Sequence, residues 1–254
     1  MCRTEVCSGF DECRVSLPNI TDYAILKKTR EIVLMATDLE ITSEDISGGN
    51  LFMKCSKLNE AALTDLPQGY RIRTCRKEEL DIWKAMHFDN EETAKSFKPF
   101  MDKYFDTVYA PYGEAFWKRC MFLCDSNDTP IGTCFVWPAY EEIMTLQWYK
   151  IRSEYEGHGL GRALLSYIMR TVKEEEFPVF LHTHPACRQA IKLYTDFGFS
   201  LLTDTEIGYR KNDLTESMPY LKKTLSDTAY RALTFSTATE EFLTAAKRTE
   251  YSQF

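Results

Sequence analysis

The stretch Glu156-Gly157-His158-Gly159-Leu160-Gly161-Arg162 constrains this chain more than any other. Its glycines stand at every second position, between an apolar run from Ile143 to Ile151 and a helical stripe of Leu160, Leu164, Leu165, Ile168 and Val172. Such glycines accept positive φ and put no side chain in the way, so successive main-chain N–H groups can face one ligand. A helix starting there adds its partial positive charge. The segment reads as a strand-to-helix bend that fits a pyrophosphate. No Gly-Lys-Ser/Thr follows, which removes the P-loop, and the antiparallel strands ahead of the bend fit a dinucleotide fold poorly.

Periodicity organises the rest. Tyr70 to Cys75 alternates as a half-buried strand does, and Leu80, Trp83 and His87 share a helix face after it. Asp89 and Glu92 have capping-box spacing for a second helix, whose stripe is Phe97, Phe100, Met101, Tyr104, Phe105 and Val108, with Pro99 expected to break or kink it. Met121 to Leu123 and Ile131 to Trp137 read as strands joined by the turn Ser126 to Pro130, and Val179 to Thr183 as another. Ala190, Leu193, Tyr194 and Phe197 form a further helix face. The order predicts a mixed α/β (α+β) domain: a mostly antiparallel sheet with a parallel pair at its centre, flanked by helices.

The Pro67-Gln68-Gly69 punctuation divides the chain into an N-terminal helical extension, 1–68, a main domain, 69–225, and a helical tail, 226–254, packed on that domain. The extension is expected to hold a helix capped near Asn19 and Asp22 and a short strand from Leu51 to Cys55. Met218 to Leu225 is expected to complete the sheet, and Glu240 to Lys247 to form an amphipathic helix.

A net charge of -7 leaves no excess of cations to displace counterions from a phosphate backbone, which argues against a nucleic-acid partner. No apolar run reaches the roughly 20 residues that cross a bilayer, and MCRTEVCSGFDECR lacks a signal-peptide core, so no membrane partner and a cytoplasmic location are expected. Nine cysteines, an odd count without metal-site spacing, read as small reduced hydrophobes, and no metal is expected.

Downstream of the bend lies Cys187-Arg188-Gln189-Ala190-Ile191-Lys192-Leu193-Tyr194-Thr195-Asp196-Phe197-Gly198-Phe199. Ile151 to Gly161 together with Ala190, Leu193, Tyr194, Gly198 and Phe199 resembles the two hallmark motifs of the GNAT superfamily of acyl-CoA-dependent N-acetyltransferases, and the resemblance covers Tyr70 to about Asp204. It implies a splayed parallel pair with a cofactor arm in the gap. Backbone near Tyr149 and Ile151 would bond that arm, and Gly157, His158, Gly159, Leu160, Gly161 and Arg162 would cradle the pyrophosphate of acetyl-CoA. Two positions depart from the family pattern: Glu156 stands where Arg or Gln is usual, and Cys187 where an Asn often bonds the arm.

The resemblance further implies direct attack by a primary amine of a small molecule or peptide, through a tetrahedral intermediate. Tyr194 matches the position of the acid that protonates the leaving thiolate. The strand face Thr145, Gln147, Tyr149 and Ile151 offers no base, so Glu141 or Glu142 through a water, or His182 or His184, is the candidate, Glu142 foremost. Acceptors would enter between 78–117 and 203–218, where Asp89, Glu91, Glu92 and Asp102 would suit a cation. The alternative is a degenerate member that binds acyl-CoA as a regulatory or structural ligand. A third reading gives the function to 1–68 as a protein-interaction segment. A monomer or homodimer is expected.

Overall fold

The computed structural model describes residue 46, residues 48–249 and residues 251–254. The helix expected near Asn19 and the cysteines at 2, 7 and 13 lie outside them.

Ten strands are found among the described residues: β1 Leu51–Cys55, β2 Arg71–Thr74, β3 Met121–Cys124, β4 Pro130–Ala139, β5 Ile143–Ile151, β6 Val179–Thr183, β7 Phe199–Leu202, β8 Glu206–Ile207, β9 Arg210–Lys211 and β10 Phe235–Ser236. The α-helices are α1 Leu80–Met86, α2 Glu91–Val108, α3 Glu114–Arg119, α4 Leu160–Arg170, α5 Arg188–Asp196, α6 Leu214–Thr224, α7 Asp227–Arg231 and α8 Glu240–Ala246. Eight strands form one sheet in the order β10-β7-β1-β6-β5-β4-β3-β2, and β8 and β9 make a separate hairpin.

Apolar residues cover both faces of the sheet. One face packs against α4 and α5 through Leu164, Leu165, Ile168 and Ile191. The other packs against α1, α2, α3 and α8 through Trp83, Phe105, Phe116 and Phe242. The central pair, β5 and β6, is parallel and bridged at Thr145 and Phe180 alone, so the two strands part beyond that point. This is the expected mixed architecture, with the splay placed directly before the glycine-rich bend.

Several local expectations are corrected. Asn90, not Asp89, caps α2 by accepting from the Thr93 amide at 2.8 Å. Pro99 lies inside α2 without ending it. The buried face of Met101, Phe105 and Val108 outweighs the one backbone hydrogen bond a proline removes. Met218 to Leu225 adds no strand, because Leu214, Met218 and Leu221 step by four and three and bury one side of helix α6.

The strand expected in the N-terminal extension is an internal strand of the sheet. β1 runs antiparallel to β6, from Leu51 opposite Thr183 to Cys55 opposite Val179, and antiparallel to β7 on its other side. Leu51, Phe52, Met53 and Cys55 are all buried. A division at residue 68 therefore cuts through the sheet.

A bulge shapes the centre. Thr133 faces Lys150 but Phe135 faces Gln147, so Trp148 and Tyr149 together oppose one residue of β4. Trp148 takes φ 53° to make the extra step. The bulge resets the alternation of β5, and the single face expected for Thr145, Gln147, Tyr149 and Ile151 is split. Tyr149 and Ile151 belong to the α4–α5 side. Gln147 bonds Tyr109 in the opposite core, where Trp148 also packs.

Candidate active site

The bend begins where β5 ends. Gly157 and Gly159 adopt φ 81° and 77°, values that only glycine takes at little cost. The first backbone bond of α4 runs from Ala163 N to Gly159 O, at 3.0 Å. No main-chain N–H from 157 to 162 has an acceptor among the described residues. A side chain added at Gly157 or Gly159 would meet nothing within 4 Å, so the hollow is open. Gly161 is different: a Cβ there would collide with the Tyr149 hydroxyl, which lies against the first turn of α4. Leu160 points the other way and is buried in the core.

Of the remaining loop residues, His158 Nδ1 lies 3.4 Å from Tyr155 O, which positions its ring within the loop. The Arg162 guanidinium is committed elsewhere. It pairs with Asp196 of α5, bonds Ala62 O at 3.2 Å and stacks over Phe197. Arg162 therefore offers a ligand its amide and not its charge. Glu156 is half-buried and close enough to Tyr149 to help raise its phenol pKa. Cys187 is the N-cap residue of α5, makes no side-chain capping bond, and is disulfide-bonded. The reduced state expected of the cysteines holds for 55, 75, 120, 124 and 134 and not for Cys187.

Beyond Thr145 the backbone of β5 has no strand partner on its β6 side among the described residues. Tyr149 and Ile151 thus border an open edge that runs into the hollow. Tyr194, on α5, meets Tyr149 edge-on with ring centroids 5.8 Å apart. Its ring is buried, and its hydroxyl has no hydrogen-bond partner among the described residues. Burial, with Tyr149 next to it, holds the Tyr194 phenol well above its ordinary value, so it stays protonated at neutral pH.

Glu142 is not brought to this place. It lies in the turn before β5, seven residues and so roughly 20 Å of extended chain from Tyr149, and pairs with Arg248 at 2.6 Å. Glu141, beside it, accepts a 3.4 Å bond from the Tyr112 hydroxyl. Both carboxylates sit at the closed end of the splay, Glu142 paired with Arg248 and Glu141 with the Tyr112 hydroxyl.

His182 does border the gap. It faces Phe52 across β1 and β6, with ring centroids 5.1 Å apart, and its Nε2 bonds the Asn50 side-chain oxygen at 2.9 Å. Nε2 then carries the proton, which leaves Nδ1 as the acceptor. Burial, with Arg210 and His184 nearby, keeps the ring neutral well below its ordinary pKa. His184 is anchored through Nδ1 to Gly49 O at 3.0 Å.

The acidic wall expected for a cationic acceptor is largely neutralised. Asp89 pairs with Lys150 at 2.7 Å, Glu91 with Lys95 at 2.8 Å and Asp102 with Lys84 at 2.7 Å. Among the described residues no group of three or more His, Cys, Asp or Glu is placed to hold a metal ion, and no helix is long and apolar enough to cross a membrane.

Residues 83–199 match the family model described as Acetyltransferase (GNAT) family. Among solved structures, the chain resembles a putative GNAT-family acetyltransferase from Novosphingobium aromaticivorans at 15% identity and a TM-score of 0.37, covering 59% of each chain. It resembles a GNAT-family acetyltransferase from Staphylococcus aureus at 13% identity and a TM-score of 0.39, covering 50% of this chain and 81% of that one. A third similarity, to a GNAT-family acetyltransferase from Colwellia psychrerythraea, has 12% identity and a TM-score of 0.43 and covers 70% of each chain. No curated protein matches the sequence. The matched residues, 83–199, hold the bend, the splayed strands and Tyr194.

Proposed function

We propose that this protein transfers an acetyl group from acetyl-CoA to a primary amine. The observation that carries the reading is the run of main-chain amides from 157 to 162, without an acceptor among the described residues and next to the β6-side edge of β5. Those amides and the N-terminal charge of α4 suit a diphosphate, and the backbone of Tyr149 to Ile151, paired with β4 but without a strand partner on its β6 side among the described residues, suits an extended amide arm. Acetyl-CoA, when bound, would supply the acyl group as a reactive thioester.

The protein's own groups then have two proton tasks. Tyr194 donates its phenolic proton to the departing sulfur. His182, neutral at physiological pH, accepts a proton from the attacking nitrogen as the new C–N bond replaces the C–S bond. A lysine-like amine, with a pKa near 10.4, needs such an acceptor at neutral pH. Holding nucleophile and acyl group together supplies most of the remaining acceleration.

The second reading, an acyl-CoA binder without turnover, draws its support from Cys187, a disulfide-bonded residue where the resemblance places an Asn that bonds the cofactor arm. Thiol release separates the two. With acetyl-CoA and a panel of primary amines, free thiol is expected to accumulate with at least one amine over many turnovers. Binding of acetyl-CoA with no thiol above the amine-free blank would establish the binder instead.

A further inference from the structure

His182, the proton acceptor of the proposed transfer, takes its partner from a segment ahead of the matched residues 83–199. It stands two places past Phe180, the β6 residue bridged to β5, so it lies where the two strands have parted. Its Nε2 meets the Asn50 side-chain oxygen at 2.9 Å. The other ring nitrogen, Nδ1, takes no bond among the described residues and is not sealed from solvent.

Asn50 is itself fixed, and through its main chain. Its N–H donates to Asp213 Oδ2 at 2.8 Å, and its carbonyl accepts from the Asp213 amide at 2.8 Å. Lys211 holds the other oxygen of that carboxylate at 2.9 Å. The Asn50 side chain is therefore aimed at His182 without taking part in its own anchoring. Next to it, Gly49 O accepts from His184 Nδ1 at 3.0 Å. Two imidazoles with ring centroids 4.8 Å apart and planes at 81° are thus held with opposite nitrogens protonated, His182 on Nε2 and His184 on Nδ1. A carbonyl can only accept, so Gly49 leaves His184 no choice. An amide presents either an oxygen or an NH2, so the state of His182 follows from which of the two Asn50 turns to it.

We propose that Asn50 is a positioning residue for the transfer: its side-chain oxygen holds His182 in the orientation and tautomer that leave Nδ1 to take the proton of the attacking amine. The inference rests on the acetyltransferase reading. As the C–N bond forms and the C–S bond breaks, the amine proton passes to Nδ1, Nε2–H stays with Asn50, and the imidazolium then loses its extra proton to water. Around that passing charge, Arg210 from β9 and His184 from β6 are opposed to it, and Phe52 from β1 offers no dipole of use. The Asn50 oxygen is the contact that favours it, through a bond that strengthens once its donor is charged. A base oriented by a third group in this way is a general catalytic arrangement.

Spectra of the imidazole nitrogens of the full chain, recorded without acetyl-CoA or amine, test the geometry. At neutral pH His182 should carry its hydrogen on Nε2 alone and His184 on Nδ1. Asn50→Leu should let both nitrogens of His182 share the hydrogen and leave His184 as it was. That variant keeps the main-chain bonds to Asp213, so its cooperative melt should remain. Kinetics test the role. With acetyl-CoA and an amine that releases thiol, Asn50→Leu should lower kcat about 10- to 100-fold, with KM for either substrate within about twofold of wild type. Asn50→Asp, whose carboxylate also accepts from Nε2, should recover most of that rate at about pH 8. A carboxylate there favours the imidazolium, which cannot accept a proton, so the acid limb of its pH–rate profile should move upward by about one pH unit or more. A hydrogen on Nδ1 of His182 in the wild type, or an unchanged kcat in Asn50→Leu, would overturn the proposal. An absence of thiol release with every amine would instead overturn the transferase reading, and the spectra would still decide how Asn50 holds the ring.

Discussion

Replacing Tyr194 by Phe is expected to lower turnover about 10²- to 10³-fold, while acetyl-CoA affinity stays within roughly twofold of wild type. The ring of Tyr194 is core, packed against Tyr149 and Phe199, and phenylalanine fills the same space. Its hydroxyl bonds nothing among the described residues, so its removal strands no internal partner and leaves the fold intact. What disappears is a proton donor beside the gap. Because burial raises this phenol, the wild-type pH–rate profile should show no basic limb from Tyr194 below about pH 10. Steady-state kinetics with a titration of acetyl-CoA checks both parts. Equal turnover in the two proteins would remove Tyr194 from the chemistry.

A chain beginning at residue 69 is expected not to fold. It would keep every residue of the family match, 83–199, yet lose β1. That strand joins β6 to β7 through antiparallel pairing on both sides and buries Leu51, Phe52, Met53 and Cys55 in the two cores. Four such side chains represent about 6–12 kcal/mol of apolar burial at roughly 1.5–3 kcal/mol each, comparable to the whole stability of a typical domain. The loss also leaves two inner strands with unpaired edges, an aggregation hazard. Circular dichroism on heating should show no cooperative transition for the shortened chain and a clear one for a chain that begins before Ile46. A cooperative melt without β1 would contradict the topology.

The parts of this protein that were legible in sequence are those whose cause is local. Gly157 and Gly159 require positive φ, and only glycine meets that at little cost, so the bend could be read directly. The stripes of α4 and α5 follow from their own spacing. Other features have causes far away in the chain. β1 reads as a strand, but its place between β6 and β7 depends on partners more than a hundred residues downstream. The bulge at Trp148 has no residue signature, since a tryptophan at positive φ is held there by β4, and it divided a face that alternation predicted to be continuous. Adjacency of Glu142 in sequence to the central strand says nothing of which end of that strand opens.

The proposed acyl-CoA site is built on the amides of the bend. Backbone amide chemical shifts recorded while acetyl-CoA is added test it most directly. The largest changes are expected at residues 157 to 162, saturating with the bound fraction, and pantetheine, which lacks the diphosphate, should leave those amides nearly unmoved. Acetyl-CoA binding that shifts other regions and spares these six residues would contradict the central claim.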